Sequence, residues 1–253
     1  MWALVVAFGG AFGFAYGLTG VGSVFAVPML VYALGLPPHQ AVCVSMLSVS
    51  AIGLLATILK CRAGEIDFRA GAVMAAGGFA GAPLGAWAGR LLSGKWLMLV
   101  FAAFTAVIAL RLLWEKAEPA LGAASATQMA RSPYLRLSFA GVFVGTVAGL
   151  LGIGGVLIAP SLVLLARLPI HRAIATTMPA IFVISLSAIS SHFLAGQRVP
   201  PVTTLLFAAA GAGGLLAGMR LRHRLSGPRL QAVFAMALLA VAAFILLRNL
   251  VSK

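Results

Sequence analysis

Residues 149–160, GLLGIGGVLIAP, place four glycines and a proline inside an apolar run. An uninterrupted membrane helix has no use for such a break, because glycine weakens a helix and proline removes a backbone hydrogen bond. A second copy, GLTGVGSVFAVP, occupies residues 17–28. The two interruptions therefore predict a turn that is built twice into one chain.

The surrounding sequence is duplicated with the turn. A shift of 132 residues aligns 17–64 with 149–196 without a gap, and eighteen of the forty-eight positions are identical, including LPPHQA (36–41) over LPIHRA (168–173). Coincident Gly, Pro and His at one period indicate an internal repeat. We predict a first membrane repeat over 1–114, a linker over 115–134 and a second repeat over 135–253.

The composition is that of a membrane protein. Hydrophobic residues make up 62% of the chain, charged residues 9%, and the mean hydropathy is +1.10. These values predict an all-α, polytopic protein of eight to ten membrane helical segments, with the lipid bilayer as its partner. The basic residues are scattered between apolar segments and form no patch, so we expect no nucleic acid partner.

The short segment after each turn, 22–35 and 154–167, is about 21 Å long as a helix, against a bilayer core of about 30 Å. If each turn forms a hairpin, the loops on the N-terminal side hold five basic residues and the opposite side holds thirteen. A kinked continuous helix would give ten against eight, so the positive-inside rule favours the hairpin. This topology predicts inverted repeats in the bacterial inner membrane with both termini outside the cytoplasm; whether the hairpins span fully is left open.

All four acidic residues, Glu65, Asp67, Glu115 and Glu118, fall in predicted loops. A cation carrier or a carboxylate-driven proton pump needs an acidic group at membrane depth, so their absence favours an anionic substrate. Backbone amides at the start of a helix can hold an anion instead. The alternative is that the glycines only allow close helix packing, as we expect for Gly77, Gly81, Gly85 and Gly89.

The candidate substrate-binding residues are therefore the turn residues and the hydroxyls of the following long helix. They are Thr19, Gly20, Gly22, Ser23, Ser45 and Ser48 in the first half, and Gly152, Gly154, Gly155, Thr176 and Thr177 in the second. Ser45 and Thr177 are repeat partners, but hydroxyls in membrane helices also bond their own backbone.

Two further pairs invite a mechanical interpretation. Pro28 and Pro160 each lie seven residues into the short segment and should release a carbonyl four residues back, which predicts a hinge or a fixed kink. His39 and His171 open the long helix in each half and are candidates for gating or proton coupling, although a cap or interface role is the more ordinary one.

No nucleophile elbow, metalloprotease motif, phosphate-binding loop or carboxylate pair is present in the sequence. We therefore expect no enzyme activity, no cofactor and no metal site. Homo-oligomerisation is left open.

GLLGIGGVLIAP resembles the glycine-rich, proline-ended signature of the TauE/SafE family of membrane transporters, and LPIHRAIATTM resembles the HxAxxTS-type segment that follows it in that family. The resemblance covers nearly the whole chain and both repeats. The first half departs from the pattern, with Ser23 where the family prefers a further glycine and Val44 in the threonine-like place.

The resemblance implies about eight helices and transport of a sulfur-containing anion such as sulfite, sulfoacetate or another organosulfonate, commonly as export. We expect a secondary transporter working by alternating access. The alternatives are an uptake permease for a sulfur or carboxylate anion, a channel-like pore, and a scaffold or subunit that transports nothing.

Overall fold

The computed structural model describes residues 2–20, 22–114, 133–153, 155–222 and 227–251. In these ranges the chain forms ten α-helices and one π-helical segment, which confirms the all-α prediction. The first half contains α1 (Trp2–Thr19), α2 (Ser23–Pro28) with its π-helical continuation (Met29–Ala33), α3 (Pro38–Arg62), α4 (Phe68–Leu91) and α5 (Gly94–Trp114). The second contains α6 (Pro133–Leu151), α7 (Ile158–Ala166), α8 (Ile170–Leu194), α9 (Pro201–Arg222) and α10 (Gly227–Val251).

Six of the described helices are long and apolar enough to cross a bilayer, namely α1, α3, α5, α6, α8 and α9. Large apolar side chains point outward from the bundle, among them Phe79 and Trp87 of α4, each more than half exposed. Such a surface is unfavourable in water and is expected where helices face lipid. The chain is therefore a multi-pass membrane protein. Most of the linker predicted over 115–134 lies outside the described residues.

Glycine brings two pairs of helices into backbone contact across the repeats. In α1, a Cβ on Gly13 would overlap the backbone of Gly211 in α9. In α4, a Cβ on Gly81 or Gly85 would overlap the carbonyl oxygen of Val142 or Thr146 in α6. Small residues allow this approach in membrane proteins. The packing interpretation of Gly77, Gly81 and Gly85 is confirmed.

The direction of the helices follows from the same contacts. Residue numbers rise together along α1 and α9 and along α4 and α6, so each pair runs parallel. Within the pairing of α3 with α8 the order is reversed, because Lys60 and Ala56 of α3 share a small cavity with Ile174 and Met178 of α8 and Gly53 lies against Phe182. The repeat-equivalent helices α3 and α8 thus run in opposite directions, which is the relation expected of an inverted duplication.

The backbone repeats its unusual conformations at the same period of 132 residues. Gly20 and Gly152 have φ of 74° and 77°, and Gly64 and Gly196 have φ of 68° and 77°. Gly35, at 70°, is matched by Arg167 at 53°. Left-handed backbone favours glycine, so Arg167 keeps the turn of its repeat partner without the residue that suits it.

Candidate functional site

The first glycine turn folds the chain back onto the helix that precedes it. α1 ends at Thr19, Gly20 adopts left-handed backbone, and α2 begins at Ser23. A Cβ on Gly22 would overlap the backbone of Tyr16, one turn earlier in α1. The tight return therefore requires glycine at position 22, and it is the hairpin geometry that the sequence predicted.

The second turn begins in the same way and ends differently. Gly152 repeats the left-handed backbone of Gly20, but α7 begins at Ile158, three residues later than the equivalent start of α2. The sequence placed this helix from residue 154 onward, which is wrong for its beginning. Gly154 lies outside the described residues.

The two turns meet. A Cβ on Gly155 would lie 3.1 Å from the carbonyl oxygen of Gly20 and 2.9 Å from Cδ1 of Ile181. On the other side, a Cβ on Gly152 would lie 3.0 Å from Cγ2 of Val27. Each turn therefore packs against the opposite repeat. The contact also gives a reason why position 155 carries glycine whereas its repeat partner, Ser23, carries a side chain.

One predicted hydroxyl reaches across to a turn. Ser45 of α3 donates to the carbonyl oxygen of Gly152 at 3.2 Å, a group in the last turn of α6 where helix carbonyls lack intrahelical donors. Its repeat partner Thr177 instead donates to Ile174 of its own helix at 2.6 Å. Ser48 and Thr19 likewise donate to the carbonyls of Val44 and Ala15.

Thr176 does not lie at the turns. Its Oγ1 accepts a hydrogen bond of 2.9 Å from the backbone N–H of Asp67, whose carboxylate in turn caps α4 by accepting from Arg69 and Ala70. Ile174 of the same helix faces Gly20, and two residues of α-helix rotate the side chain by about 200°. Thr176 therefore secures the start of α4 in the other repeat.

Ser23 is the polar group without a partner. Its side chain is fully buried and its Oγ forms no hydrogen bond. A buried hydroxyl left unsatisfied costs about 1–3 kcal/mol. Ser23 follows the first turn directly and opens α2, so an acceptor arriving at this turn would find a ready donor.

The two prolines differ in position. Pro28 ends α2 and is followed by the π-helical segment, in which the N–H of Leu34 donates to Met29 at 3.2 Å. The widened turn agrees with the disruption predicted there. Pro160 is the third residue of α7, inside the first turn, where a helix has no bond to lose. The released carbonyl expected at Val156 therefore has no basis.

The histidines also separate. His39 lies half-buried at the second position of α3, and the side chain of His171 lies outside the described residues. His192, expected to reach toward lipid headgroups, is instead 3% exposed, and its Nε2 lies 3.2 Å from the carbonyl oxygen of Gly149. Because a carbonyl only accepts, Nε2 carries the proton and Nδ1 is the bare acceptor, which has no partner. Its repeat partnership with Lys60 was the only sequence signal for this site.

A small cavity lies beside the first turn, between α1, α3, α8 and α9. Its volume is about 20 Å³, and Gly17, Gly20, Lys60, Met178 and Met219 are among the lining residues. A larger groove of about 390 Å³ runs between the π-helical segment and α10, but its lining is almost wholly apolar. The small cavity is thus the space that joins a charged side chain to a glycine turn.

Comparison with known proteins gives the family. The profile described as "Sulfite exporter TauE/SafE" matches residues 5–245. A "Probable membrane transporter protein" of Xylella fastidiosa (strain 9a5c) is 30% identical over 246 residues, which cover 95% of this chain and 93% of the relative. The "Probable membrane transporter protein YunE" of Bacillus subtilis (strain 168) is 30% identical over 173 residues, 63% of each chain. No solved structure matches. The chain, with its paired glycine turns in a duplicated helical bundle, belongs to the TauE/SafE family of membrane transporters.

Proposed function

We propose that this protein is a secondary transporter that carries a small sulfur-containing anion, such as sulfite, sulfoacetate or another organosulfonate, out of the cell across the bacterial inner membrane. The anion binds where the two glycine turns meet. One repeat moves against the other so that the site opens to each side of the membrane in turn.

The observation that carries this proposal is the contact between Gly155 and the carbonyl oxygen of Gly20. Substrate sites of transporters built from inverted repeats lie between the repeats, at interrupted helices. The interruptions here are in contact, so a relative movement of the repeats changes the space between them directly. Turns that served packing alone could lie anywhere along the bundle.

The chemistry around the turns suits an anion. Backbone N–H groups that open a helix lack intrahelical partners and carry the positive end of its dipole. The buried Ser23 hydroxyl adds a donor without an acceptor. The two acidic residues in the described ranges, Glu65 and Asp67, lie between α3 and α4, away from the helix interiors.

Export is the favoured direction. A negative cytoplasm drives anions outward without a further coupling ion. The positive-inside count puts both termini outside the cytoplasm and assigns the end of the bundle that holds Lys60 to the cytoplasmic face.

The first test is binding. Purified protein is heated with sulfite, sulfoacetate, other organosulfonates and acetate, and the melting temperature is followed. We expect stabilisation by at least one sulfur anion and none by acetate at equal concentration. The Gly155→Ala variant, checked for intact folding by size-exclusion chromatography, should lose the stabilisation.

The second test is flux in proteoliposomes with the stabilising anion. Saturable flux with counterflow identifies a carrier, whereas linear flux without counterflow identifies a pore. An imposed membrane potential, interior negative or positive, separates export from uptake. A protein that binds and moves none of these anions while Gly155→Ala assembles normally would be a scaffold, and the proposal would be wrong.

A further inference from the structure

Lys60 is a cation placed at one mouth of the glycine turns and held by a carboxylate. Its Nζ lies 2.8 Å from Oε2 of Glu65, and this is the ion pair among the described residues. The two side chains are partly shielded, at 25% and 40% exposure. The other carboxylate nearby, Asp67, is bonded to the amides that open α4. Glu65 is therefore the counter-charge available to Lys60.

The cavity behind Lys60 leads to the first turn and is closed to an anion. Gly17 and Gly20 form one part of its wall, Tyr16 another, and Met178 and Met219 a third. A volume of about 20 Å³ admits about one water molecule, since one water requires about 10–15 Å³ by the same measure. An oxyanion of four or more heavy atoms needs the methionines and Lys60 to move aside.

The exchange of one anion for another at Lys60 avoids a bare charge. Separating Lys60 from Glu65 leaves a partly desolvated ammonium uncompensated, which is costly. An arriving anion replaces Glu65 at the ammonium, and the carboxylate turns to solvent. The same exchange frees the side chain of Lys60 to follow the anion toward Gly20.

The opposite mouth is built differently. The repeat partner of Lys60 is His192, which is buried, is bonded to Gly149 and carries no fixed charge. The two mouths are therefore unequal in the one position where the duplication puts a basic side chain beside each turn. Anion capture by a permanent cation is available on the Lys60 side alone at this position.

On this geometry, and resting on the proposed function, we propose that the cavity between α1, α3, α8 and α9 is the loading site for the anion, with Lys60 as the receiving residue and Glu65 as a latch that the anion displaces. The site takes a small oxyanion or a sulfonate headgroup. Loading from this side is the step that gives the transporter its outward preference.

The test uses the full chain in proteoliposomes and initial rates of radiolabelled sulfite flux over a range of concentrations. Lys60→Gln should raise KM about tenfold, because it removes a charged contact made on binding. Lys60→Arg should stay within about twofold, because it keeps the charge. Glu65→Gln should lower KM about threefold, because Lys60 no longer has to be released.

The matched control is Arg62→Gln, which removes one basic charge from the same end of α3 at an exposed side chain outside the cavity wall. It should leave KM unchanged. Glu65→Gln should have no effect in the Lys60→Gln background, because a latch without its bolt has nothing to hold. If Lys60→Gln does not fold, Glu65→Gln and Lys60→Arg still decide the question.

Two results would overturn the proposal: equal KM values for Lys60→Gln and Arg62→Gln, or a raised KM for Glu65→Gln. In both cases the parent protein still shows saturable flux, so the loading site fails and the transport function stands. A parent that carries no sulfur anion would instead remove the transport function and this site with it.

Discussion

The carbonyl oxygen of Gly20 lies 3.1 Å from the position that a Cβ on Gly155 would occupy. A main-chain oxygen of one repeat thus borders a glycine of the other, at the place where both helices are interrupted. Real Cβ contacts are rarely so close, and a backbone atom in a tight turn yields less readily than the end of a side chain. The spacing between the repeats is therefore set at this point by the lack of a single carbon atom.

Adding that atom should impair transport. Gly155→Ser copies the residue that the first repeat carries at Ser23, and it should reduce sulfite flux at least tenfold and destabilise the protein by about 1–3 kcal/mol through overpacking. The reciprocal change, Ser23→Gly, adds no atom and should leave the melting temperature nearly unchanged. Flux and thermal melting of both variants check this; equal flux in the two would contradict the assigned contact.

The parallel contact of α4 with α6 should be sensitive to one methyl group. Gly81→Ala places a Cβ on the carbonyl oxygen of Val142, whereas nothing lies within 4 Å of the corresponding position at Gly213. We expect Gly81→Ala to lower the melting temperature or prevent assembly. Gly213→Ala, in the middle of α9, should raise helix stability slightly. Detergent-solubilised yield and thermal melting compare the two.

The hydroxyls of α3 should separate by partner. Ser45→Ala removes the hydrogen bond to Gly152 across the repeats and should cost about 0.5–1.5 kcal/mol. Ser48→Ala removes a bond to Val44 of the same helix, whose carbonyl keeps its helical partner, and should be close to neutral. Anion-dependent stabilisation measured on both variants shows whether Ser45 also supports the turn during binding.

Thr176 provides the opposite case, a predicted ligand with a structural partner. Thr176→Val keeps the shape and removes the acceptor of the Asp67 N–H, so it should lower stability by about 1–3 kcal/mol with KM unchanged. A higher KM at unchanged melting temperature would return Thr176 to the binding site.

Arg167 should be improvable. It holds φ at 53° where its repeat partner is Gly35 at 70°, and left-handed backbone costs a non-glycine residue about 1–2 kcal/mol. Arg167→Gly should raise the melting temperature, and Gly35→Ala should lower it. No change in either would mean that the strain is relieved elsewhere in the loop.

Local pattern was enough to predict the duplication, the glycine turns and the close packing of Gly81 and Gly85, because each depends on residues a few positions apart. The partners of Thr176 and His192 were not predictable in this way. They depend on α8 running parallel to α4 and beside the end of α6, and apolar composition gives no sign of which helices become neighbours. The late start of α7 at Ile158 likewise has no local signal, since the glycines before it match those of the first repeat.

The walls of the candidate site are mostly main chain, formed by Gly20, Gly152 and Gly155. Removing side chains one at a time, as an alanine scan does, leaves such walls untouched and would report that few residues matter. Mutagenesis of this site has to work by enlargement, with a methyl or hydroxymethyl group placed where the chain has none. The second repeat, 132 residues away, supplies the natural choice of which atom to add.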